Sequence, residues 1–282
     1  MTIKIVTDST ADLPEDILKE LDITVVPLHV LFGKQNYRDR VDISDDDFYR
    51  RLCDDKENPT TTQPSPSEFA AVYNKLGADA DGIVSIHISG KLSGTPFSAQ
   101  QGAKIAKTKC PIEVIDSGFA STALGLIVYK AAQMAKEGQS FSEIISNTKR
   151  ISADTQIMVL FDTLEYLALG GRIGKSKVML GPILNVKPIL TIKNGEFTPV
   201  AQMRSRSKGK NKLLQFLKQA SGVSDIALVH STTPDELEEM ATEIRATINP
   251  KTLLIGRFSP VLGCHTGPGV IGVGYIENSA QT

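Results

Sequence analysis

Three adjacent hydroxyl side chains, Thr60, Thr61 and Thr62, stand shortly before a predicted helix N-terminus. Ser65 and Glu68 have the spacing of a capping box, in which two polar side chains satisfy free N–H groups at the helix start. Hydroxyl donors beside the positive end of a helix dipole can hold an oxyanion, either a carboxylate or a phosphate. A capped helix after a polar loop explains the same residues without a ligand, so other segments must supply the deciding groups.

Two further segments carry side chains suited to such a ligand. Ser93 and Gly94 precede another predicted helix, where Gly94 allows the backbone to approach a ligand closely. Thr95 as N-cap and Pro96 at the first helical position account for the helix start, which leaves the Ser93 hydroxyl without a structural role. His265 is predicted in a glycine-rich turn before the last strand, either as a polar site residue or as an ordinary surface histidine.

Positive charges follow in the second half of the chain. Arg172 comes after two glycines, and Arg204 opens a basic run that continues with Arg206, Lys208, Lys210 and Lys212. These side chains could contact an anion or a phosphate-bearing partner, although such a run is ordinarily a solvated face. The sequence contains neither a Walker A loop nor a Rossmann glycine fingerprint after the first strand, so we expect no nucleotide site.

Composition limits the classes of function. With 282 residues, 41% hydrophobic and 22% charged, the chain has the make-up of a globular protein with one large or two ordinary domains. A net charge of -1 and 6% aromatic residues argue against nucleic acid. The sequence has no long apolar run, no signal-peptide pattern and no CxxC pair. We therefore expect a cytoplasmic protein without metal or cofactor and with at most transient membrane contact.

The elements that must position these residues alternate between strand and helix up to about residue 155. Strands predicted at 3–6, 82–88 and 112–115 each end in a polar loop before a helix, which predicts a Rossmann-like parallel α/β domain over residues 1–155. Ligands of such sheets bind beyond the carboxyl ends of the strands, where Asp8, Ser93 and Asp116 are placed. Asp12 and Glu15 have capping spacing and predict another helix start.

Residues 156–282 follow a different pattern. Asn194-Gly195 between two apolar runs predicts a β-hairpin, flanked by strands at 184–192 and 197–203. A basic helix over 208–220, two more strands with a helix between them, and a closing strand complete a predicted α+β domain. The fold class expected is therefore α/β with two domains, and a ligand between them.

Seven short motifs occur in order along the chain: VTDSTADL at 6–13, TTQPSP at 61–66, LSGT at 92–95 with SA at 98–99, VIDS at 114–117, YL at 166–167 with GGRI at 170–173, LNVKPIL at 184–190, and HTGPG at 265–269. Each motif alone is modest, but the ordered set resembles the DegV family, the bacterial fatty-acid-binding proteins, over the whole chain. Two positions depart from the family pattern. Pro96 stands where the family usually has tyrosine, and Cys264 where it usually has a small or hydroxyl residue.

The resemblance implies a lipid-binding protein that is not itself an enzyme and holds one long-chain fatty acid in an apolar tunnel between two domains. The carboxylate would be held by a set of neutral donors: Thr61, Thr62, Ser93, the Gly94 N–H and His265. In bacteria that have it, a separate ATP-dependent fatty-acid kinase phosphorylates the bound acid for phospholipid synthesis. Arg172 and Arg204 would face this kinase or join a water-linked network to the head group.

Two other functions remain open at this point. Ser93 and His265, with Asp8 or Asp116, could form a Ser–His hydrolase acting on a lipid or ester. A DNA-linked role through the basic run is the third hypothesis, and the near-neutral net charge disfavours it.

Overall fold

The structure is a computed structural model that describes residues 1–54, 58–179, 186–220 and 222–277. Its strands are β1 Ile3–Asp8, β2 Ile23–Val26, β3 His29–Phe32, β4 Gln35–Arg38, β5 Thr60–Thr62, β6 Gly82–His87, β7 Ile112–Asp116, β8 Thr155–Leu160, β9 Lys187–Lys193, β10 Glu196–Met203, β11 Asp225–His230, β12 Thr252–Arg257 and β13 Ile271–Ile276. Its α-helices are α1 Glu15–Glu20, α2 Asp45–Asp54, α3 Pro66–Leu76, α4 Thr95–Ile105, α5 Ser121–Lys136, α6 Phe141–Asp154, α7 Glu165–Leu169, α8 Arg206–Gln219, α9 Pro234–Thr247 and α10 Pro260–Thr266.

The first sheet is parallel, with the order β2-β1-β6-β7. Successive residues of β1 point to opposite faces, as strand geometry requires. Ile5 packs into the large core cluster that contains helix α5, whereas Val6 packs against Phe69 and Tyr73 of α3. Because both faces are covered, every residue of the central strand β6 is buried, and the predicted parallel α/β arrangement is confirmed.

The second sheet has six strands in the order β10-β9-β8-β13-β11-β12, of which only the pair β11 and β12 is parallel. Helices α8 and α9 cover one face of it. Helix α5 contacts both β1 of the first sheet and β11 and β13 of the second, so it is buried between them. The hairpin prediction is confirmed: β9 and β10 pair across Asn194 and Gly195, whose φ angles of 52° and 80° suit a tight hairpin turn.

A small third sheet, β4-β3-β5, was not predicted. Thr60–Thr62, expected as a polar loop, is strand β5, and Thr61 pairs with Val30 of β3. The capping box that follows is confirmed, because Glu68 N donates to Ser65 Oγ and Ser65 N donates to a Glu68 carboxylate oxygen. The three threonines are thus fixed in extended backbone directly before a capped helix.

The predicted cap at Asp12 is wrong. Helix α1 begins at Glu15 after Pro14, while Asp12 ends a short 3₁₀ turn with a positive φ of 50°. Its carboxylate instead accepts hydrogen bonds from Ser259 N at 2.9 Å and Ser121 Oγ at 2.6 Å. The Asp12 carboxylate therefore makes long-range contacts instead of capping helix α1.

The strands of the parallel sheet end by Asp116 and those of the six-stranded sheet begin at Thr155. The division into domains at 1–155 and 156–282 stays a prediction. Leu184 and Asn185, predicted at the start of a strand, lie outside the described residues, and β9 begins at Lys187. Within the described ranges, no helix is both long and apolar enough to cross a membrane.

Candidate functional site

Helix α10 places His265, which was predicted in a turn. The helix begins after Ser259 with Pro260 in its first turn, and His265 lies in its last turn. Only the residues after Thr266 turn, with Gly267 at a φ of 75°. The pair Ser259-Pro260 favours a helix start, whereas the glycines around His265 favour the turn that was predicted.

Thr61 is brought to His265 by the pairing of β5 with β3. The distance from Thr61 Oγ1 to His265 Nε2 is 2.8 Å. Thr62 follows on the opposite face of the short strand and is exposed, whereas Thr61 is half-buried. The structure therefore distinguishes the two neighbouring hydroxyls, and Thr61 is the one in contact with the imidazole.

Ser93 and Gly94 lie at the start of α4, between β6 and the helix. Thr95, the predicted N-cap, is instead the first residue of the helix, and Gly94 occupies the cap position without a side-chain cap. Ser93 Oγ accepts a hydrogen bond from Thr95 N at 3.3 Å and lies 2.8 Å from Thr95 Oγ1. The expectation that Ser93 has no structural role was therefore wrong, although its hydroxyl still faces the cavity described next.

A cavity of about 50 Å³ joins these groups. Its polar lining includes Thr61, Thr62, Ser93, His265 and Arg172, together with Gln63, which the sequence had not indicated. Its apolar lining is Leu28, Ile88, Leu92, Ala120, Phe197, Val261 and Leu262. At about 10–15 Å³ per water-sized group, this volume holds a carboxyl group and a few methylenes, not a long chain. The apolar side chains must move apart to admit one.

Two predicted residues do not line this cavity. Gly94 lies beside it, where an added Cβ would come within 2.6 Å of the Gln63 amide nitrogen. Arg204 is exposed at the turn between β10 and α8, and in the described part of the chain it is not among the lining residues. Arg172 is held at the cavity by its own hydrogen bonds to Leu92 O at 3.3 Å and Gly170 O at 2.6 Å.

His265 is neutral at physiological pH. Burial, and secondarily the Arg172 guanidinium, lowers the pKa of its imidazole to about 4. Its Nδ1 atom is buried and has no hydrogen-bond partner among the described residues, because the Gly170 backbone packs against that edge of the ring. Since a buried N–H without an acceptor is rarer than an unpaired acceptor, we assign the proton to Nε2. The imidazole then donates to Thr61 Oγ1, and the Thr61 proton is free for a ligand.

Neither Cys264 nor Pro96, the two residues that depart from the family pattern, brings a charge to the site. Cys264 is buried beside His265, and burial raises the pKa of its thiol well above the usual value. Pro96 is buried in the first turn of α4. Among the described residues, no cluster of histidine, cysteine, aspartate or glutamate could hold a metal ion.

The Ser–His hydrolase arrangement is not assembled. His265 bonds to Thr61, Ser93 bonds to Thr95, and Asp116 accepts from the N–H groups of Gly90 and Gly118. A nucleophile and a base that do not touch, with no carboxylate on the imidazole, lack the geometry for nucleophilic catalysis. The alternative function therefore has no support in the structure.

A Ser–His–Asp chain does exist elsewhere, and the sequence had not indicated it. Ser85 Oγ lies 2.7 Å from His87 Nε2, and His87 Nδ1 lies 2.9 Å from Asp8 Oδ2. Tyr73 completes the chain through a 2.8 Å contact with Ser85. All four side chains are inaccessible to solvent. These four hydrogen-bonded side chains cannot contact a substrate, and they link β1, β6 and α3 inside the parallel-sheet domain.

The chain is similar over nearly its full length to known proteins. The family model described as an uncharacterised protein of the DegV family matches residues 2–278. A DegV domain-containing protein of Caldanaerobacter subterraneus subsp. tengcongensis is 36% identical over 282 residues, covering 98% of this chain and 99% of that protein. A structure described as fatty acid binding of a DegV family protein from Thermus thermophilus has a TM-score of 0.91 at 35% identity, covering 98% and 100%. A stearic acid-binding protein from Eubacterium ventriosum has a TM-score of 0.88 at 31% identity, covering 98% of each chain. The chain belongs to the DegV family.

Proposed function

We propose that this protein binds one long-chain fatty acid and presents its carboxylate to a separate ATP-dependent kinase, which converts the acid to an acyl phosphate. The observation that carries the proposal is the neutral Thr61–His265 pair at the polar end of an otherwise apolar cavity. Relatives of the same fold that are described as fatty-acid-binding and stearic acid-binding support the ligand class.

The acyl chain can supply the affinity. Each buried methylene contributes about 0.8 kcal/mol, so roughly fourteen of them contribute at most about 11 kcal/mol before the cost of ordering the ligand. Separation of the apolar side chains around Leu262 and Phe197 offsets part of this gain. The head group therefore need not be clamped by a tight ion pair.

The head group is held by neutral donors. The Thr61 hydroxyl, oriented by Nε2–H of His265, donates to one carboxylate oxygen, and Ser93 is placed for the other. A carboxylate held in this way keeps its negative charge and remains a nucleophile. Its oxygen can attack the γ-phosphorus of ATP while the bond to the bridging oxygen breaks and ADP leaves.

Positive charge is available next to the cavity. A surface depression of about 270 Å³ shares Leu92, Arg172 and Phe197 with the cavity and adds Lys91 and Lys175. Both lysines approach Glu196, at 3.4 Å and 3.9 Å. This depression is where a γ-phosphate delivered by the kinase would meet the carboxylate. Arg204 remains a candidate contact on the kinase-facing surface.

Extraction tests the ligand. Protein expressed in a bacterium, purified and denatured in organic solvent should release a long-chain fatty acid, identified by mass spectrometry. Absence of fatty acid from the extract, together with failure of the purified protein to take up oleate or palmitate, would contradict fatty-acid binding.

Phosphorylation tests the presentation. Oleate-loaded protein, incubated with ATP and the fatty-acid kinase of a bacterium that has one, should form an acyl phosphate that hydroxylamine traps as the hydroxamate. Omission of either the kinase or ATP should abolish the product. Binding without phosphorylation would leave a fatty-acid carrier and refute the role as kinase substrate.

A further inference from the structure

Two buried carboxylates reach helix α10 from distant parts of the chain. Asp12 Oδ1 accepts a hydrogen bond from Ser259 N at 2.9 Å, and Asp39 Oδ1 accepts one from Val261 N at 3.3 Å. Asp12 is 3% exposed and Asp39 is 1% exposed. Both bonds satisfy N–H groups at the start of the helix, which has no cap of its own from Ser259. Residues 8–12, residue 39 and the start of α10 together form a contact region that we call the seam.

The seam fixes one side of the head-group cavity. Helix α10 contributes Val261, Leu262, His265 and Thr266 to the cavity lining. A seven-residue helix has two turns, so a shift at its start is transmitted directly to His265 near its end. The distance of 2.8 Å between Thr61 and His265 therefore depends on where the two carboxylates hold the helix.

We infer that Asp12 and Asp39 are positioning residues for the head-group site, acting through α10, and that negative charge on them loosens the seam and speeds release of the bound acid. The inference rests on the proposed fatty-acid binding. It adds a role for residues that do not touch the ligand and a dependence of ligand exchange on pH.

The seam is poorly equipped to hold two charges. Arg40 Nη1 lies 3.9 Å from Asp12 Oδ1, but the same guanidinium makes two hydrogen bonds to Asp45, at 2.9 and 3.0 Å. Asp39 Oδ2 is buried without a hydrogen-bond partner in the described residues. Buried carboxylates that share one cation carry a desolvation cost that a single pair cannot offset. The uncharged forms therefore fit the closed seam better.

Both carboxyls titrate near neutral pH. Burial raises the pKa of Asp12 to about 7 and that of Asp39 to about 6, against the opposing effect of Arg40 and of the hydrogen bonds. The charged or titratable groups that face them or share their cavity come from several elements: Asp8, Glu15, Arg40, Asp45, Tyr49, His230, Arg257 and Cys264. Burial and the Arg257 guanidinium lower the pKa of His230, so the asparagine variants are needed to separate its titration from that of the two carboxyls. His265 has a pKa of about 4, so it does not titrate in the same range.

Water can reach the seam from its other side. A cavity of about 670 Å³ lies between the carboxyl ends of β1 and β12 and is lined by Asp12, Asp39, Arg40 and Arg257. An ionised carboxyl carries a desolvation cost that contact with this water relieves, and this cost outweighs the stronger hydrogen bond that the charge gives it to α10. The seam thus separates a solvated cavity from the apolar side of the head-group cavity.

The test compares release of cis-parinarate, a fluorescent fatty acid, from the wild-type protein and from Asp12→Asn, Asp39→Asn and the double variant. Release into excess vesicles is followed by stopped-flow fluorescence between pH 5.5 and pH 8.0. Wild-type release should accelerate about tenfold over this range, which corresponds to about 1.4 kcal/mol in the barrier. The double variant should release slowly at every pH, because the amide keeps an acceptor oxygen and carries no charge.

Controls separate positioning from folding. Asp22→Asn removes an exposed carboxylate that pairs with Lys4 far from the seam, and it should keep the wild-type pH profile. Asp12→Ala removes the acceptor for Ser259 N and should release quickly at every pH. A double asparagine variant with the wild-type pH profile would overturn the inference.

A second readout does not need the ligand. Amide hydrogen exchange of residues 259–266, normalised to a peptide remote from the seam, should show more opening at pH 8.0 than at pH 5.5 in wild type alone. If wild-type protein does not bind cis-parinarate at all, the proposed function fails, while the exchange data still decide whether charge opens the seam. An equal change in exchange between the two pH values in wild type and the double variant would refute the inference that charge opens the seam.

Discussion

Replacement of Asp12 by asparagine should make the protein progressively more stable than wild type as pH rises. The wild-type carboxyl has a pKa of about 7 in the folded protein, against an ordinary value of 3.8. A carboxyl whose folded pKa is raised contributes stability that is fully present below the unfolded pKa and is lost as pH rises through the folded pKa. Asparagine does not titrate, so Asp12→Asn lacks this loss.

The size of the effect follows from the two pKa values. Each pKa unit corresponds to about 1.4 kcal/mol, so a shift of about three units corresponds to about 4 kcal/mol over the full range. Roughly 2 kcal/mol of this is lost by pH 5, and roughly 2 to 3 kcal/mol more between pH 5 and pH 8. The difference in the free energy of unfolding between Asp12→Asn and wild type should therefore shift by about 2–3 kcal/mol in favour of the variant.

Urea denaturation followed by circular dichroism at pH 5 and pH 8 measures this shift, since the chain has no tryptophan to report by fluorescence. The comparison between the two pH values cancels any constant effect of the amide on packing. Asp22→Asn, at an exposed ion pair, serves as the matched control and should show little change with pH. A constant difference between Asp12→Asn and wild type at both pH values would refute the assignment of a buried, titrating carboxyl.

Three further predictions concern the head group. Thr61→Val should weaken oleate binding or phosphoryl transfer by about 10- to 100-fold, the loss expected for a hydrogen bond to a charged group, whereas Thr62→Val on the other face of β5 should have a much smaller effect. Competition against cis-parinarate measures binding and hydroxamate trapping measures phosphoryl transfer; equal effects of the two variants would show that the wrong hydroxyl was chosen. Gly170→Ala should displace His265, because the added Cβ overlaps Nδ1, and should cost about 1–3 kcal/mol of stability as well as affinity; unchanged oleate binding and melting temperature would contradict that packing. The His265 imidazole should stay neutral from pH 8 down to about pH 5 in an NMR titration, and a midpoint near 6.5 would show that it is neither buried nor beside Arg172.

Local patterns predicted local structure well. The capping box at Ser65 and Glu68 and the hairpin at Asn194 and Gly195 both involve residues that are neighbours in the sequence, and both are present. The order of strands and helices was sufficient for the fold class because each element carries its own periodic signal.

The site itself depends on contacts that no local pattern contains. Helix α10 starts after Ser259, whose N–H donates to Asp12, 247 positions away in the sequence. Strand β5 forms where Thr61 pairs with Val30, and although threonine favours strands, three residues after a polar segment are too short to indicate one without that partner. Glycines near His265 indicated a turn, and Asp12 indicated a cap, because each was interpreted without its distant partner. The motifs indicated residues that the structure brings together around one cavity, whereas the positions of their side chains required the tertiary structure.

The helix ends around the cavity differ in what they offer an anionic head group. Helix α10 points its C-terminal, negative end at the ligand side, which disfavours an anion and would favour a protonated His265 by at most about 2 kcal/mol. Burial outweighs this effect, since the imidazole pKa falls rather than rises. The start of α3 is already neutralised by Glu68 in its capping box, so it cannot serve the ligand as the sequence had suggested. The start of α4 at Gly94 has no side-chain cap and is the helix end left beside Ser93. Under the proposed function, an acid held there by the start of α4 and two hydroxyls would be bound mainly through its chain, and its carboxylate would keep the charge that phosphorylation requires.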